Sequence, residues 1–467
     1  MTSPQDTKYR PSTAILRLPA IGDPVESADF PKTILRFRND KAAASVGLEG
    51  LSDEQWIAHF GRFRPLPDTL PQPLALRYHG HQFRMYNPDI GDGRGFLFAQ
   101  MHDEQGRLLD LGTKGSGQTP YSRFGDGRLT LKGGVREVLA TEMLEALGVN
   151  SSRTFSLIET GEELVRGDEP SPTRSSVLVR LSHSHIRIGT FQRAAAHDDK
   201  DLLRALADYA LSELYNEQPG EDAPVRLLGR VVERTADLAA SYMVAGFVHG
   251  VLNSDNINVT GESFDYGPWR FTPLWSPGFT AAYFDHQGLY AFGRQAEAIH
   301  WDATQLAVSL RPLVEADPLI AELERFPQLY SDALARRFLW RLGVSPADGA
   351  DVKALTEAAV RAMIETETPI DRFFFDWRGG SLRNEDARQH YAGEIWAPLR
   401  AEMARFTPAA SLDHPYWAQP GPCSMHIDEV EAIWSRIDTS DDWSAFETKI
   451  AAIRSMGEAM GIAPPPP

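Results

Sequence analysis

The segment His249-Gly250-Val251-Leu252-Asn253-Ser254-Asp255-Asn256, followed nine residues after Asn256 by Asp265-Tyr266-Gly267, decides how the chain is read. It lies in a glycine- and aspartate-rich stretch, 249–268, that interrupts two helical patterns. An amide and a carboxylate are hard oxygen donors of the kind magnesium takes when it bridges nucleotide phosphates. Asn256 would supply the amide oxygen and Asp265 the carboxylate. The plainer alternative is an Asx-turn at Asp255-Asn256 and an ordinary turn at Asp265-Tyr266-Gly267. What favours metal chemistry is that both motifs arrive in order after a strand-rich region.

In protein kinases the catalytic loop reads H-R-D-x-x-x-x-N, usually with Leu after the Asp, and D-F-G follows. His249, Leu252 and Asn256 fall at the matching offsets, and Asp265-Tyr266-Gly267 has the D-F-G form. The aspartate that would accept a substrate hydroxyl proton is replaced by Val251, which accepts none. Asp255 is the nearest carboxylate able to take that role.

Outward from this segment, the preceding region alternates short apolar runs with glycine clusters. Phe96-Ala99, Leu108-Leu111 and Val177-Leu181 read as strands. Gly91-Asp92-Gly93-Arg94-Gly95 offers backbone N–H groups and a cation to an anion; a further glycine cluster stands at Gly125-Asp126-Gly127-Arg128. Lys114 is read after the second strand and before a helix over 134–147, with Gly148 as its C-cap. A lysine in that order wants a helix-borne carboxylate partner. Glu142 lies on the apolar stripe, so periodicity points to Glu142; Glu137 falls on the other side. Arg180 closes an apolar strand and Arg187 follows; each suits a carboxylate or a phosphate equally. The histidines His79, His81, His183 and His185 read as ordinary polar or core residues, and Cys423 as inert. Beyond residue 200 helices are expected at 201–215, 231–247, 301–312, 317–325, 328–341 and 351–365, and two weaker ones in the tail before Pro464–Pro467.

The expected fold is therefore α+β, a protein-kinase-like arrangement of two lobes. Residues 1–75 read as an N-terminal extension, 76–195 as a strand-rich N-lobe, 196–400 as a helical C-lobe with the catalytic and metal segments, and 401–467 as a tail. The bulk numbers agree. A chain of 467 residues exceeds one ordinary core, and 42% hydrophobic with 24% charged residues is typical of globular proteins. A formal charge of -17 argues against nucleic-acid partners. The opening residues carry no secretory signal, no run reaches the ~18 apolar residues of a membrane span, and one cysteine fits a reducing compartment, so a cytoplasmic protein is expected. The oligomeric state is left open.

Longer blocks carry a family resemblance. Tyr78-His79-Gly80-His81-Gln82-Phe83, Lys114-Gly115-Ser116-Gly117-Gln118-Thr119-Pro120-Tyr121-Ser122-Arg123, Ser184-His185-Ile186-Arg187-Ile188-Gly189-Thr190-Phe191 and His249 through Pro268 resemble the selenoprotein O family of kinase-fold proteins. The resemblance implies ATP bound in a reversed orientation, with AMP transferred to Ser, Thr or Tyr hydroxyls of other proteins and Mg²⁺ or Mn²⁺ as the metal. By position it implies Asp255 as acid/base, Asn256 and Asp265 as metal ligands, and Lys114 with Glu137 as the phosphate-contacting pair. It implies Gly91, Gly93, Arg94, Asp126, Gly127, Arg180 and Arg187 as nucleotide contacts. It thus prefers Glu137 where periodicity prefers Glu142. The chain departs from the family at Arg84, at Asp302 after Trp301, after about residue 380, and in lacking a cysteine near its C-terminus. The competing functions are a phosphotransferase, which Val251 disfavours, and a non-catalytic ATP-binding scaffold, which the retained Asn256 and Asp265 disfavour.

Overall fold

The structure, a computed structural model, describes residues 8–18, 20–167 and 169–461; the Pro464–Pro467 terminus lies outside them. Among the described residues the core of the first lobe is a nine-stranded antiparallel sheet. Its order runs Gly22–Pro24, Leu74–Leu76, Leu97–His102, Leu108–Lys114, Thr173–Ser182, Arg153–Leu164, Ile34–Arg38. Arg10–Ser12 adds to Leu97–His102, and Leu129–Thr130 to Thr173–Ser182. Three strands thus come from the segment read as an N-terminal extension, which is built into the sheet. Leu108–Lys114 is buried along its whole length, including Asp110 and Lys114, which find polar partners inside. It runs through Lys114, so the lysine is the last residue of a central strand and not, as its sequence setting suggests, a residue of the following loop.

One helix, Leu131–Ala146, packs on that sheet. The Thr130 side chain accepts from the Gly133 N–H at its start, and Gly148 takes a φ of 75° just past its end. Twelve of its sixteen residues are buried, so the helix has almost no solvent face.

The second lobe is helical. Ala223–Ala245 starts with Pro224 in its first turn and ends at left-handed Gly246. Gln295–Leu310, Ala316–Glu324 and Phe326–Leu342 pack around it. The helix expected over 201–215 runs Lys200–Tyr209 and ends in a π-turn, Ala210–Leu214. A second apolar cluster gathers Phe338, Phe373 and Trp396. The last two helices, Ile427–Ser440 and Ser444–Met460, return to the first lobe and lie on Leu131–Ala146. No helix among the described residues is long and apolar enough to cross a membrane.

A strand-rich lobe carrying Lys114, one helix carrying its glutamate, and a helical lobe carrying the segment 249–269 make the protein-kinase-like α+β architecture. The segment 249–269 hangs between two short strands, Phe247–Val248 and Arg270–Phe271, paired Phe247 to Phe271 and Val248 to Arg270. That ladder clamps both ends of the loop against the long helix and presents its middle to the sheet.

Candidate active site

A cavity of about 790 Å³ opens between the lobes. Gly91, Gly93, Arg94, Lys114, Asp126, Gly127, Arg180, Asp255, Asn256 and Asp265 line it. Glu137 and Arg187 stand behind that lining and hold it. The site residues that the resemblance implies are therefore in or against one cavity, although they span 91 to 265 in the chain.

The deep end is an ion-pair network. Lys114 Nζ donates to Glu137 Oε2 at 2.5 Å and lies 3.3 Å from Asp265 Oδ1. Glu137 is the partner of the lysine, and Glu142 is not. The two glutamates are five residues apart, which at about 100° per residue sets them some 140° apart around the helix. Glu142 accordingly faces away and is taken by Arg454 of the last helix, with two contacts of 2.8 Å.

Arg180 Nη1 reaches Asp265 Oδ1 at 3.2 Å, and Arg187 Nη1 lies 3.5 Å from Asp265 Oδ2. Burial alone would raise the pKa of Asp265, but Arg180, Lys114 and Arg187 together hold it well below the usual carboxylate range. Asp265 adopts a left-handed φ of 65°, which turns its carboxylate into this cluster of cations. Arg180 Nε donates to His185 Nε2 at 3.2 Å, so the ring must donate from Nδ1 to Asp110, also 3.2 Å away. Burial lowers the pKa of His185 and agrees with this neutral tautomer.

The catalytic loop supplies the other end. Asn256 Nδ2 donates to the Val251 carbonyl at 3.0 Å, which leaves its oxygen as the end available to a cation. Asp255 is only 7% exposed, and its Oδ1 has no hydrogen-bond partner. Burial pushes its pKa up to about 6, against the opposing charge of Arg187. The Arg187 guanidinium also fixes this residue, donating from Nη1 to the Asp255 carbonyl at 2.9 Å. Hydrogen bonds from the Phe83 N–H and Tyr290 hydroxyl to Asn253, and from the His81 N–H to Ser254, pin the loop from the outside.

Several residues without a role in the sequence reading belong here. Tyr78 lies under Arg187, with the guanidinium 4.2 Å from the ring centroid. Asp92 is a second carboxylate on Arg187, at 3.4 Å. Gly80 must lack a side chain, because a Cβ there would stand 2.8 Å from the Asp255 side chain. Tyr78, Gly80 and Asp92 all sit inside the motif blocks, so the blocks were the signal and only the roles were hidden. Gly95 is explained by packing rather than anion approach, since a Cβ would come within 2.1 Å of the Thr113 carbonyl. Asp302 is fully buried with neither carboxylate oxygen hydrogen-bonded; burial first, then the charge of Asp255, pushes its pKa well above the usual carboxylate range. Arg84 pairs with Glu297 at 3.0 Å.

At the mouth, Asp126 is bound by Arg166 through contacts of 2.8 and 3.1 Å. Arg94, Arg123 and Arg128 add positive charge to the lining in a chain that is acidic overall. The arrangement suits a polyanion with a bound divalent cation: cations line the cavity, and Asn256 and Asp265 offer oxygen donors among them.

The chain was compared with known proteins. A solved structure titled "ROP2 from Toxoplasma gondii: A virulence factor with a protein- kinase fold and no enzymatic activity" is matched at 12% identity, over 79% of this chain and 92% of that one, with a TM-score of 0.26. Two of the most similar curated relatives are both named "Protein nucleotidyltransferase YdiU". One, from Synechococcus elongatus, is 41% identical, and the other, from Synechococcus sp., is 50% identical. Each match covers 96% of this chain and 95% of the relative, so most of the tail, which reads from sequence as divergent, has a counterpart in them. A family model described as "Protein adenylyltransferase SelO" matches residues 7–399. By that match and those identities, the chain belongs to the SelO family of protein adenylyltransferases.

Proposed function

We propose that the protein transfers AMP from ATP to Ser, Thr or Tyr hydroxyls of other proteins, releasing pyrophosphate. The observation that carries this reading is the pairing of a vacated position with a filled one. Val251 lines the cavity where a phosphotransferase would place its base, while the neighbouring carboxylate, Asp255, is buried and shifted to about 6. A base with that pKa is deprotonated at neutral pH yet basic enough to accept a proton.

In this reading the acceptor hydroxyl oxygen attacks the α-phosphorus of ATP. A new P–O bond forms, the bond between the α-phosphorus and the bridging oxygen to the β-phosphate breaks, and pyrophosphate leaves with the electron pair. Asp255 takes the hydroxyl proton. Lys114, fixed by Glu137, and Arg180 and Arg187, fixed by Asp265 and Asp92, neutralise phosphate oxygens from positions already set before ATP arrives. Arg94, Gly91, Gly93, Asp126 and Gly127 form the cradle toward the mouth. The reversed orientation of ATP that the family resemblance implies would put the α-phosphate next to the loop that carries Asp255. The amide oxygen of Asn256 and the carboxylate of Asp265 would hold Mg²⁺ or Mn²⁺, which supplies charge neutralisation to the triphosphate. The single cysteine and the acidic charge suit a cytoplasmic protein acting on proteins rather than nucleic acid.

The test is parallel incubation with ATP labelled at the α- or the γ-phosphate, a divalent cation and an acceptor protein. Label from the α-position alone is the expected result. Label from the γ-position would make the protein a kinase with a relocated base. ATP binding without either label would make it a scaffold.

A further inference from the structure

The helix that brings Glu137 to Lys114 is gripped from behind by the C-terminal tail, and the grip touches both of its ends. Glu142, on the opposite side from Glu137, is 7% exposed and bidentate to Arg454 at 2.8 Å through each oxygen. One turn further on, Ala146 meets Gly457 so closely that a Cβ on that glycine would stand 3.2 Å from the alanine Cβ. At the helix start, Glu431 of Ile427–Ser440 takes Lys132 at 2.7 Å and lies 3.8 Å from Arg136. The tail also anchors to the sheet. Asp441 binds Arg174 at 2.7 Å and Arg36 at 3.1 Å, and Arg174 donates to the Ile437 carbonyl at 2.9 Å. Both arginines share Glu159 of the strand next to the Arg180 strand. The tail therefore bridges the glutamate-bearing helix and the strands it packs on, without lining the cavity.

We propose that the two C-terminal helices are a positioning element of the nucleotide site. Glu142, Arg454 and the Ala146–Gly457 contact hold the helix at the distance where Glu137 reaches Lys114, so phosphate binding at the lysine depends on residues of the tail. The geometry gives the reason. Leu131–Ala146 is buried against the sheet on one side and the tail on the other, so close packing lets both walls set its height above the sheet. On the tail side the wall is the last helix, and its strongest polar contact lies about 7.5 Å along the axis from Glu137, at a rise of ~1.5 Å per residue. This inference rests on the nucleotide-binding part of the proposed function and not on AMP transfer.

The test uses the full chain with Arg454→Glu, Glu142→Arg and the double exchange. Three quantities are measured: the Kd for ATP with Mg²⁺, the KM for ATP and kcat of AMP transfer, and thermal unfolding. Each single replacement is expected to weaken ATP binding within the roughly 5- to 150-fold range typical of coupled sites, and to raise KM more than it lowers kcat. The double exchange rebuilds the pair with reversed polarity and is expected to bring Kd back to within a few fold of the parent. Should a charge-reversed single variant fail to fold, Arg454→Gln replaces it, with Arg454→Lys as the conservative rescue. Variants that melt earlier yet bind ATP as the parent does would reduce the pair to ordinary packing and overturn the proposal. So would a double exchange that folds like the parent without regaining affinity. A protein whose ATP affinity follows the pair but which labels no acceptor would refute the proposed activity and leave the positioning role standing.

Discussion

Asp255 and Asp265 stand ten residues apart at the two ends of one loop, against the same cavity, and their surroundings drive them in opposite directions. Asp265 faces Lys114, Arg180 and Arg187 and is held ionised far below the usual range. Asp255 has an unpartnered oxygen and meets the positive end of Arg187 chiefly through its backbone carbonyl, so burial wins and its pKa rises to about 6. Two carboxylates of one loop are thereby made into a lasting anion and a carboxyl that titrates near 6, which suits the metal and proton-acceptor roles proposed for them. Environment, not residue type, assigns the two roles.

Breaking the anionic end should cost most. Asp265→Ala leaves Lys114, Arg180 and Arg187 facing one another without their shared counter-charge and removes a carboxylate ligand. The expected outcome is loss of cation-dependent ATP binding and a fall in AMP transfer on the order of 10³-fold or more. Titration of ATP with and without Mg²⁺ checks it, and unchanged activity would remove Asp265 from the site.

The basic end should fail differently. Asp255→Asn is expected to keep ATP binding near the parent value and lower kcat by about 10²- to 10⁴-fold, the usual worth of a general base. In the parent, kcat/KM should rise with pH through about 6 and level off above it, because the base form is populated only above its raised pKa. That rise should vanish in the asparagine variant. A parent profile flat between pH 5 and 8 in a pH-rate experiment would separate Asp255 from the proton transfer.

The smallest effect is on stability, and its sign sharpens the contrast. The folded pKa of Asp255 is raised above its unfolded value of 3.8, so the folded state binds the proton more tightly. The stability this lends is full below pH 3.8 and is lost as pH rises through about 6. At neutral pH the ionised side chain is therefore a burden of up to about 3 kcal/mol, given that one pKa unit is about 1.4 kcal/mol. Asp255→Asn should unfold at a higher temperature than the parent at pH 7.5, with the gain shrinking to nothing below pH 4. Equal melting at both pH values would show that the carboxylate is not destabilised by its site.

What could be read from sequence follows the range of the interaction. The candidate catalytic segment could be picked out because its proposed ligands and base lie within 249–268 and their spacing is a local property. The strand at Leu108 was legible as a buried apolar run, although its end was placed short of Lys114. The lysine partner was not legible from periodicity. An apolar stripe identifies an inward face only when the opposite face meets water, and Leu131–Ala146 is buried against the sheet on one side and the tail on the other. Glu137 and Glu142 are both inside, and the deciding fact is Arg454, 312 residues from Glu142. The N-terminal segment hid its strands for a related reason. They are three to five residues long, and pairing with strands far along the chain defines them.

By itself, then, the sequence determined the two-lobe order of strands and helices, the hard-oxygen pair Asn256 and Asp265, the loss of the usual base at Val251 and the availability of Asp255. Each of these is set by residue type at short spacing. The family resemblance favoured Glu137 for Lys114 where periodicity favoured Glu142, and the tertiary structure decided between them; only the tertiary structure showed that Arg187 ties both aspartates to Asp92 and that the tail closes over the helix behind the site. Those outcomes depend on which faces are covered by distant parts of the chain, and burial by distant partners is what separates the pKa values of two otherwise similar aspartates.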